Sequence, residues 1–150
     1  MLRNRKLVAV VLVFVLVLFA LASCGGSSAT SSTSPPATAV AVGHQLLEPA
    51  AADALLQNPP AGLVTLDVRT PEEFVAGHIA SAVDIDLNGT TFAADIAKLD
   101  PKAPYFVYCH SGNRSGQAVA YMQQQGFDSI YELQGGIAAW QSAGLAVVTG

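Results

Sequence analysis

Residues 105–115, YFVYCHSGNRS, decide the fold and carry the most informative chemistry of the chain. The first five residues form a near-continuous apolar run, which is typical of a strand buried on both faces of a parallel sheet. After a polar loop, residues 115–125 predict a helix that has Val119 and Met122 facing inward and ends before a glycine. This order of strand, short loop and helix places Cys109 at a helix N-terminus.

The rest of the chain after residue 42 continues this alternation of strands and helices. Apolar or alternating runs and helical signals predict strands at 63–68, 82–87 and 130–133, and helices at 49–57, 71–76, 92–99 and 137–142. Such alternation favours mostly parallel pairing through right-handed crossovers. The prediction is an α/β fold of three layers, with a mostly parallel central sheet of about five strands flanked by helices. Ligands bind such sheets at the carboxyl ends of the strands, here just after Asp67 and Tyr108.

The loop after the strand is suited to making Cys109 a nucleophile. Backbone N–H groups of the loop and first helical turn point toward the sulfur, and the helix dipole favours an anion there. Arg114 adds a permanent positive charge, and Gly112 permits the backbone angles of a tight loop. These features lower the pKa of a thiol and favour the thiolate. The alternative, a buried cysteine that only ends a core strand, is disfavoured because the loop offers little to pack.

The spacing between Cys109 and Arg114 distinguishes among chemistries. Four residues separate them, whereas protein tyrosine phosphatases place five there and form a cradle wide enough for a phosphate. A smaller cradle suits a single terminal sulfur atom and favours a persulfide over a phosphocysteine. His110 has two interpretations that the sequence leaves open: a general acid or base, or a side chain that faces away.

Four motifs in the expected order resemble the rhodanese family, from about residue 43 to residue 150. They are LDVR at 66–69 with PEEF at 71–74 and GHI at 77–79, AVDI at 82–85, CHSGNRS at 109–115, and GGIAAW at 135–140. The resemblance implies a rhodanese-like domain and a sulfurtransferase. Such an enzyme moves a sulfane sulfur from thiosulfate or a thiol persulfide to a thiol or cyanide. No cofactor and no metal are expected.

The resemblance also implies roles for individual residues. Cys109 is the nucleophile and persulfide carrier, and Arg114 binds the anionic donor and stabilises the thiolate. The substrate-binding loop, whose N–H groups hold the persulfide, contains His110, Ser111, Gly112, Asn113 and Ser115. Asp67 and Arg69 lie at the end of a predicted strand, beside the expected cleft. They are expected to support the site as a structural ion pair or by organising the loop, with direct donor contact as the alternative. The remaining motif residues are assigned structural roles, in a turn, in the core or at a helix start: His78, Trp140, Glu72 and Glu73.

The first 24 residues predict a lipoprotein signal. Residues 1–6 are basic, and residues 7–22 form an apolar run slightly shorter than the roughly 17 residues that a membrane-spanning helix needs. The end of the run, LASC at 21–24, resembles a bacterial lipobox, in which small residues precede a lipidated cysteine. We therefore expect a signal peptide at 1–23. Acylated Cys24 would attach the protein to a membrane outside the cytoplasm, in the periplasm or on the outer face of the cell membrane. An uncleaved signal anchor is the alternative.

The mature chain is expected to begin with a tether. Residues 24–42 comprise the lipidated N-terminus and an uncharged Ser/Thr/Pro-rich segment with little to bury. The rhodanese-like domain then occupies 43–150, which is long enough for one core of its own. The whole chain of 150 residues is 51% hydrophobic and 12% charged, and much of the apolar excess belongs to the leader.

Charge and cysteine content exclude several classes of protein. Without the leader, four basic residues against eleven acidic ones give a net charge of −7, which excludes a basic nucleic-acid-binding surface. The same charge disfavours attraction of anionic thiosulfate, so a thiol persulfide is the expected physiological donor. Two cysteines exclude a disulfide-rich scaffold and a four-cysteine zinc site. With Cys24 acylated, Cys109 is the only thiol, and its reduction or persulfidation is expected to come from a redox partner outside the cytoplasm.

Two other functions stay open on the same architecture. The first is a non-catalytic rhodanese-like module that binds a partner at the cell envelope, which is disfavoured because such modules characteristically lack the cysteine. The second is a phosphatase or an arsenate reductase. The short spacing disfavours phosphate chemistry, and the lack of a second cysteine in the fold is a modest argument against arsenate reduction.

Overall fold

The computed structural model describes residues 42–150. The predicted signal peptide, Cys24 and nearly all of the tether lie outside the described residues. The elements in chain order are β1 Gly43–Leu47, α1 Pro49–Gln57, β2 Val64–Asp67, α2 Pro71–Ala76, β3 Ala82–Asp84, α3 Phe92–Ile96, β4 Tyr105–Tyr108, α4 Asn113–Gln124, β5 Ser129–Leu133 and α5 Gly136–Ser142. No helix within 42–150 combines the length and the apolar character needed to cross a membrane.

The five strands form one sheet in the order β1-β5-β4-β2-β3. Every neighbouring pair is parallel, so the predicted α/β fold is confirmed, with a wholly parallel sheet. Strand β4 lies at the centre, and all four of its residues are buried, as its apolar run predicts. Because Asp67 of β2 is in register with Tyr108 of β4, the loops after these two strands leave the same edge of the sheet.

Helices cover both faces of the sheet and give the three predicted layers. On one face, α3 and α4 pack on the strands through Phe92, Ile96, Val119 and Met122. On the other face, α1 and α5 pack through Ala52, Leu55, Ile137 and Trp140. The inward positions of Val119 and Met122 on α4 are therefore confirmed. The two layers fix the central strand from both sides, and thereby the loop that follows it.

Several element boundaries differ from the predicted ones, and β1 was missed as an individual strand. Four of its five residues are exposed at the sheet edge, so the apolar alternation that marks a half-buried strand is absent. Helix α4 begins at Asn113, two residues earlier than predicted, because Gly112 precedes it at φ 96°. Strand β3 ends at Asp84, not at 87, since the chain turns where the Asn88 N–H donates to the Asp86 carboxylate. Helix α3 ends at Ile96, before the predicted residue 99.

Candidate active site

The sulfur of Cys109 lies in the short loop between β4 and α4. The residue is 1% exposed, and the Gly112 N–H donates a hydrogen bond to Sγ at 3.1 Å. Gly112 adopts the left-handed conformation that lets the chain turn tightly before the twelve-residue helix. The sulfur thus occupies the position at a helix N-terminus where an anion is favoured.

Hydrogen bonds oppose the cost of burying a charged sulfur. Burial raises the pKa of the Cys109 thiol. The backbone N–H groups of Ser115, Ser111 and Gly112 lower it by more than this, together with the Ser115 hydroxyl when it turns to the sulfur. The net result is a thiol pKa below its ordinary value. A thiolate at Cys109 is therefore favoured by donors fixed in the backbone, which are in place before any substrate arrives.

The first turn of helix α5 is hydrogen-bonded to the backbone of the Cys109 loop. The N–H groups of Ile137 and Ala138 donate to the carbonyls of Cys109 at 2.8 Å and of His110 at 3.1 Å. This approach requires Gly136, at φ 61°, because a Cβ there would lie 2.5 Å from the Cys109 carbonyl oxygen. The GGIAAW motif therefore supplies hydrogen-bond donors for two carbonyl groups of the loop. The N–H group of Gly112 in the same loop donates to the sulfur instead.

Arg114 forms a two-pronged ion pair with Glu73 of helix α2. Its Nη1 and Nη2 lie 2.7 and 2.8 Å from the two carboxylate oxygens, and the side chains are 22% and 32% exposed. The hydrogen bond from Arg114 lowers the pKa of Glu73 to about 2. Glu73 also completes the predicted capping box with Thr70. The predicted donor-binding arginine thus has a carboxylate partner 41 positions away, which spacing along the sequence could not reveal.

Asp67 and Arg69 form a second, buried ion pair at the end of β2. Arg69 Nε lies 2.9 Å from both carboxylate oxygens, and Nη2 lies 2.6 Å from Asp67 Oδ2 and 2.6 Å from the Gly77 carbonyl. Asp67 is 0% and Arg69 4% exposed. The pair ties the end of β2 to the end of α2 and presents little surface to a substrate.

The other predicted residues divide between the surface and the core. His110, Ser111 and Asn113 are exposed around the loop, and Glu72 is exposed on α2. His78 is buried, with Nδ1 3.0 Å from the Phe74 carbonyl oxygen, and Trp140 belongs to the core. Within residues 42–150, no three His, Cys, Asp or Glu side chains are placed to hold a metal ion.

Three further polar side chains reach from the site to the sheet edge. Ser115 Oγ lies 3.6 Å from Cys109 Sγ and 2.7 Å from Oε1 of Glu132 on β5. Oε2 of Glu132 lies 2.9 Å from Nε2 of His44 on β1. Neither Glu132 nor His44 was predicted as a site residue. The available signal was an acidic residue inside a strand that is otherwise suited to burial.

All positive charge in the described part of the chain is paired. Its four Lys and Arg side chains form the ion pairs Arg69–Asp67, Lys98–Asp95, Lys102–Asp128 and Arg114–Glu73. Together with the net charge of −7 after the leader, this arrangement gives little long-range attraction for anions.

Comparison with known proteins places the whole loop inside one matched region. The Rhodanese-like domain family matches residues 48–143, which include every described element except β1. Thiosulfate sulfurtransferase GlpE of Pseudomonas aeruginosa (strain LESB58) is 40% identical over 98 residues, which are 65% of this chain and 84% of that protein. A crystal structure of a rhodanese-related protein from Thermoplasma volcanium aligns with a TM-score of 0.62 at 29% identity, over 71% of this chain and 99% of that one. A protein of unknown function from Rhodopseudomonas palustris, described as a possible tyrosine phosphatase, aligns with a TM-score of 0.58 at 26% identity, over 69% and 84%.

Proposed function

The chain belongs to the rhodanese-like family, and from that premise we propose that it is a sulfurtransferase that carries a sulfane sulfur atom on Cys109. The observation that carries this proposal is the buried Cys109 sulfur at the start of α4. Burial raises the pKa of the thiol, but fixed hydrogen-bond donors bring that pKa below its ordinary value. The likeness to a thiosulfate sulfurtransferase supports the same class of reaction. The loop, with four residues between Cys109 and Arg114, favours a single sulfur atom over a phosphate.

In the first half-reaction, the Cys109 thiolate attacks the outer sulfur of the donor. The new S–S bond forms as the donor's own S–S bond breaks, and the electron pair leaves with sulfite from thiosulfate or with a thiolate from a thiol persulfide. The N–H groups that stabilise the thiolate now face the terminal sulfur of the Cys109 persulfide. Because these donors are already oriented, charge on sulfur is stabilised without reorganisation of the loop.

In the second half-reaction, an acceptor removes the terminal sulfur. Cyanide or a thiolate attacks that atom, the S–S bond to Cys109 breaks, and the product is thiocyanate or a new persulfide. The electron pair returns to Cys109 Sγ as a thiolate, which the same loop donors stabilise. The cycle closes without an external oxidant or reductant and uses Cys109 as its only sulfur carrier.

We propose a thiol persulfide, in preference to thiosulfate, as the sulfur donor. Arg114 is paired through both of its terminal nitrogens with Glu73, so an anionic sulfonate competes with a carboxylate already in place. We expect a higher kcat/KM with glutathione persulfide than with thiosulfate in steady-state assays at the same pH. A higher value with thiosulfate would contradict this choice of donor.

The proposed carrier is tested by intact mass spectrometry. After exposure to thiosulfate or glutathione persulfide, the protein should gain the mass of one sulfur atom, and cyanide should remove it. The matched control is Cys109→Ser, which should gain nothing. Absence of the adduct with both donors would contradict sulfur transfer and favour a non-catalytic binding module.

We also propose that the enzyme lies outside the cytoplasm, attached to a membrane through acylated Cys24. Its support is the basic, apolar and lipobox sequence of residues 1–24. In cells fed labelled palmitate, the wild-type chain should incorporate the label and sediment with membranes, whereas Cys24→Ser should not be labelled. Equal labelling of both chains would contradict acylation at Cys24.

A further inference from the structure

A line of polar side chains connects the Cys109 sulfur with the edge of the sheet. It runs from Cys109 Sγ to Ser115 Oγ over 3.6 Å and to Glu132 Oε1 over 2.7 Å. It ends at His44 Nε2, 2.9 Å from Glu132 Oε2. Ser115 and Glu132 are 0% and 4% exposed, whereas the His44 side chain is 32% exposed. A buried carboxylate thus stands one hydroxyl group away from the proposed nucleophile.

The Ser115 hydroxyl has one proton and three neighbours that can accept it. They are the Cys109 sulfur, the Gly112 carbonyl at 3.1 Å and the Glu132 carboxylate at 2.7 Å. The contact with the carboxylate is the shortest, and hydrogen bonds to an ionised acceptor are the strong ones. While Glu132 holds this proton, Ser115 offers the sulfur only a lone pair. That arrangement suits a thiol, which can donate S–H, and does not suit a thiolate.

The surroundings of Glu132 leave Ser115 and His44 as its polar contacts. Glu132 lies on the face of the sheet covered by α4, in register with Leu46 of β1 and Val107 of β4. The other titratable groups of the adjacent α4 and β4 are directed elsewhere. Arg114 binds a carboxylate of α2, Tyr121 packs on a phenylalanine of α3, and Tyr105 Oη donates to the backbone before β4. Tyr108 Oη accepts the Ile79 N–H.

We propose that Glu132 is a positioning residue that restrains ionisation of Cys109 by holding the proton of the Ser115 hydroxyl. His44 keeps the carboxylate directed at Ser115. Ionisation then requires the Ser115 hydroxyl to turn from Glu132 to the sulfur as the thiol proton leaves to water. The product is a thiolate that accepts a hydrogen bond from Ser115.

The restraint protects a lone thiol from oxidation between turnovers. Sulfenic acid forms from the thiolate, so a smaller resting thiolate population slows this reaction. The loop N–H groups still favour the thiolate once a donor is bound. The reactivity of Cys109 is then set by two opposing effects, the stabilisation by these N–H groups and the restraint by Glu132. The purpose of this device rests on the proposed sulfurtransferase function, but its test depends only on the chemistry of the thiol.

The test measures Cys109 alkylation by iodoacetamide against pH. The full chain carries Cys24→Ser, so that Cys109 is its only thiol. Glu132→Gln should lower the midpoint of the profile by about half a pH unit or more, because a like charge is removed and the Ser115 proton is released to the sulfur. The reaction with hydrogen peroxide below the midpoint should accelerate about threefold or more, as the thiolate fraction rises. Glu48→Gln, which removes an exposed carboxylate after β1, should leave both readouts unchanged.

Two further variants test whether Glu132 acts on Cys109 through the Ser115 hydroxyl or only through the long-range effect of its charge. In a Ser115→Ala background, the shift caused by Glu132→Gln should fall to less than half its size. His44→Ala, at the exposed edge strand, should give a smaller downward shift and keeps the test decisive should Glu132→Gln not fold. An unchanged or raised midpoint in Glu132→Gln, an undiminished shift without Ser115, or no shift in His44→Ala would each overturn the proposal. None of these outcomes depends on whether a sulfur donor is turned over.

Discussion

Two arginine–carboxylate pairs lie near the carboxyl edge of the sheet, and they differ in burial. Asp67 and Arg69 are almost completely enclosed, with side chains 0% and 5% exposed. Arg114 and Glu73 keep 22% and 32% of their side chains exposed. Both arginines make two-pronged contacts with their carboxylates. The same chemical pair therefore serves in two environments of the same site.

Burial decides what each pair can do. A buried ion pair has lost its water, so removing one partner leaves an uncompensated charge, and the pair is effectively permanent. Arg69 is further fixed by the Gly77 carbonyl and lies 5.8 Å from the centre of the Tyr108 ring. A partly exposed pair can exchange one partner for water or a ligand at small cost. The first pair therefore fixes the end of β2, and the second leaves Arg114 able to exchange Glu73 for another anion.

Breaking the buried pair should give the largest effect. Asp67→Asn removes the charge that compensates Arg69 and should reduce the free energy of unfolding by about 3–5 kcal/mol. Urea denaturation followed by circular dichroism measures this loss. The double variant Asp67→Asn/Arg69→Met, which removes both charges, should recover part of it. A loss below about 1 kcal/mol in Asp67→Asn would show that the enclosed pair behaves like a surface pair.

Breaking the exposed pair should change activity more than stability. Glu73→Gln keeps an oxygen for the capping box with Thr70 but releases the guanidinium of Arg114. The free energy of unfolding should fall by less than about 1 kcal/mol, while kcat/KM for thiosulfate should rise about three- to tenfold because the anionic donor meets an uncompensated cation. The matched control, Glu72→Gln, removes the neighbouring exposed carboxylate and should leave kcat/KM nearly unchanged. Equal gains in the two variants would point to net charge alone.

The two ion pairs differ in how well each could be predicted from the sequence. Asp67 and Arg69 are two residues apart at the end of a predicted strand, and an ion pair was among the roles expected of them. The position of Cys109 followed equally well from the order of strand, loop and helix. The Arg114–Glu73 pair could not be predicted, because its partners are separated by 41 positions and meet only after α2 and α4 have packed. Glu132 was missed for the same reason, since its partners come from other elements.

The pH dependence should distinguish the exposed pair from an ordinary surface carboxylate. The hydrogen bond from Arg114 lowers the pKa of Glu73 from 4.5 to about 2. For an acid with a lowered folded-state pKa, the stabilisation is complete above the unfolded value and is lost as the pH falls through the folded one. The difference in melting temperature between wild type and Glu73→Gln should therefore stay constant from pH 7 to 5. It should shrink below about pH 4.5 and vanish near pH 2. A difference already lost at pH 4.5 would contradict the strength of the pair.

The smallest expected effect concerns Asp84, whose side chain lies beside the buried pair. Burial, and then the charges of Asp67 and Asp86, raise its pKa from 3.8 to about 6, against the attraction of Arg69. Its Oδ1 is the one buried side-chain nitrogen or oxygen atom in the described residues without a hydrogen-bond partner. For an acid with a raised folded-state pKa, stability falls as the pH rises from the unfolded value through the folded one.

Asp84→Asn should therefore raise the melting temperature by a few degrees at most at pH 7, and this gain should disappear below pH 3.8, where both proteins are neutral at this position. Thermal unfolding at pH 7, 5 and 3.5 measures the trend, and Asp53→Asn, at a half-buried aspartate of α1, serves as the control. A gain that persists at pH 3.5 would mean that the amide forms a new contact. A loss at pH 7 would mean that the charge of Asp84 assists Arg69, so that the buried site has three ionic members instead of two.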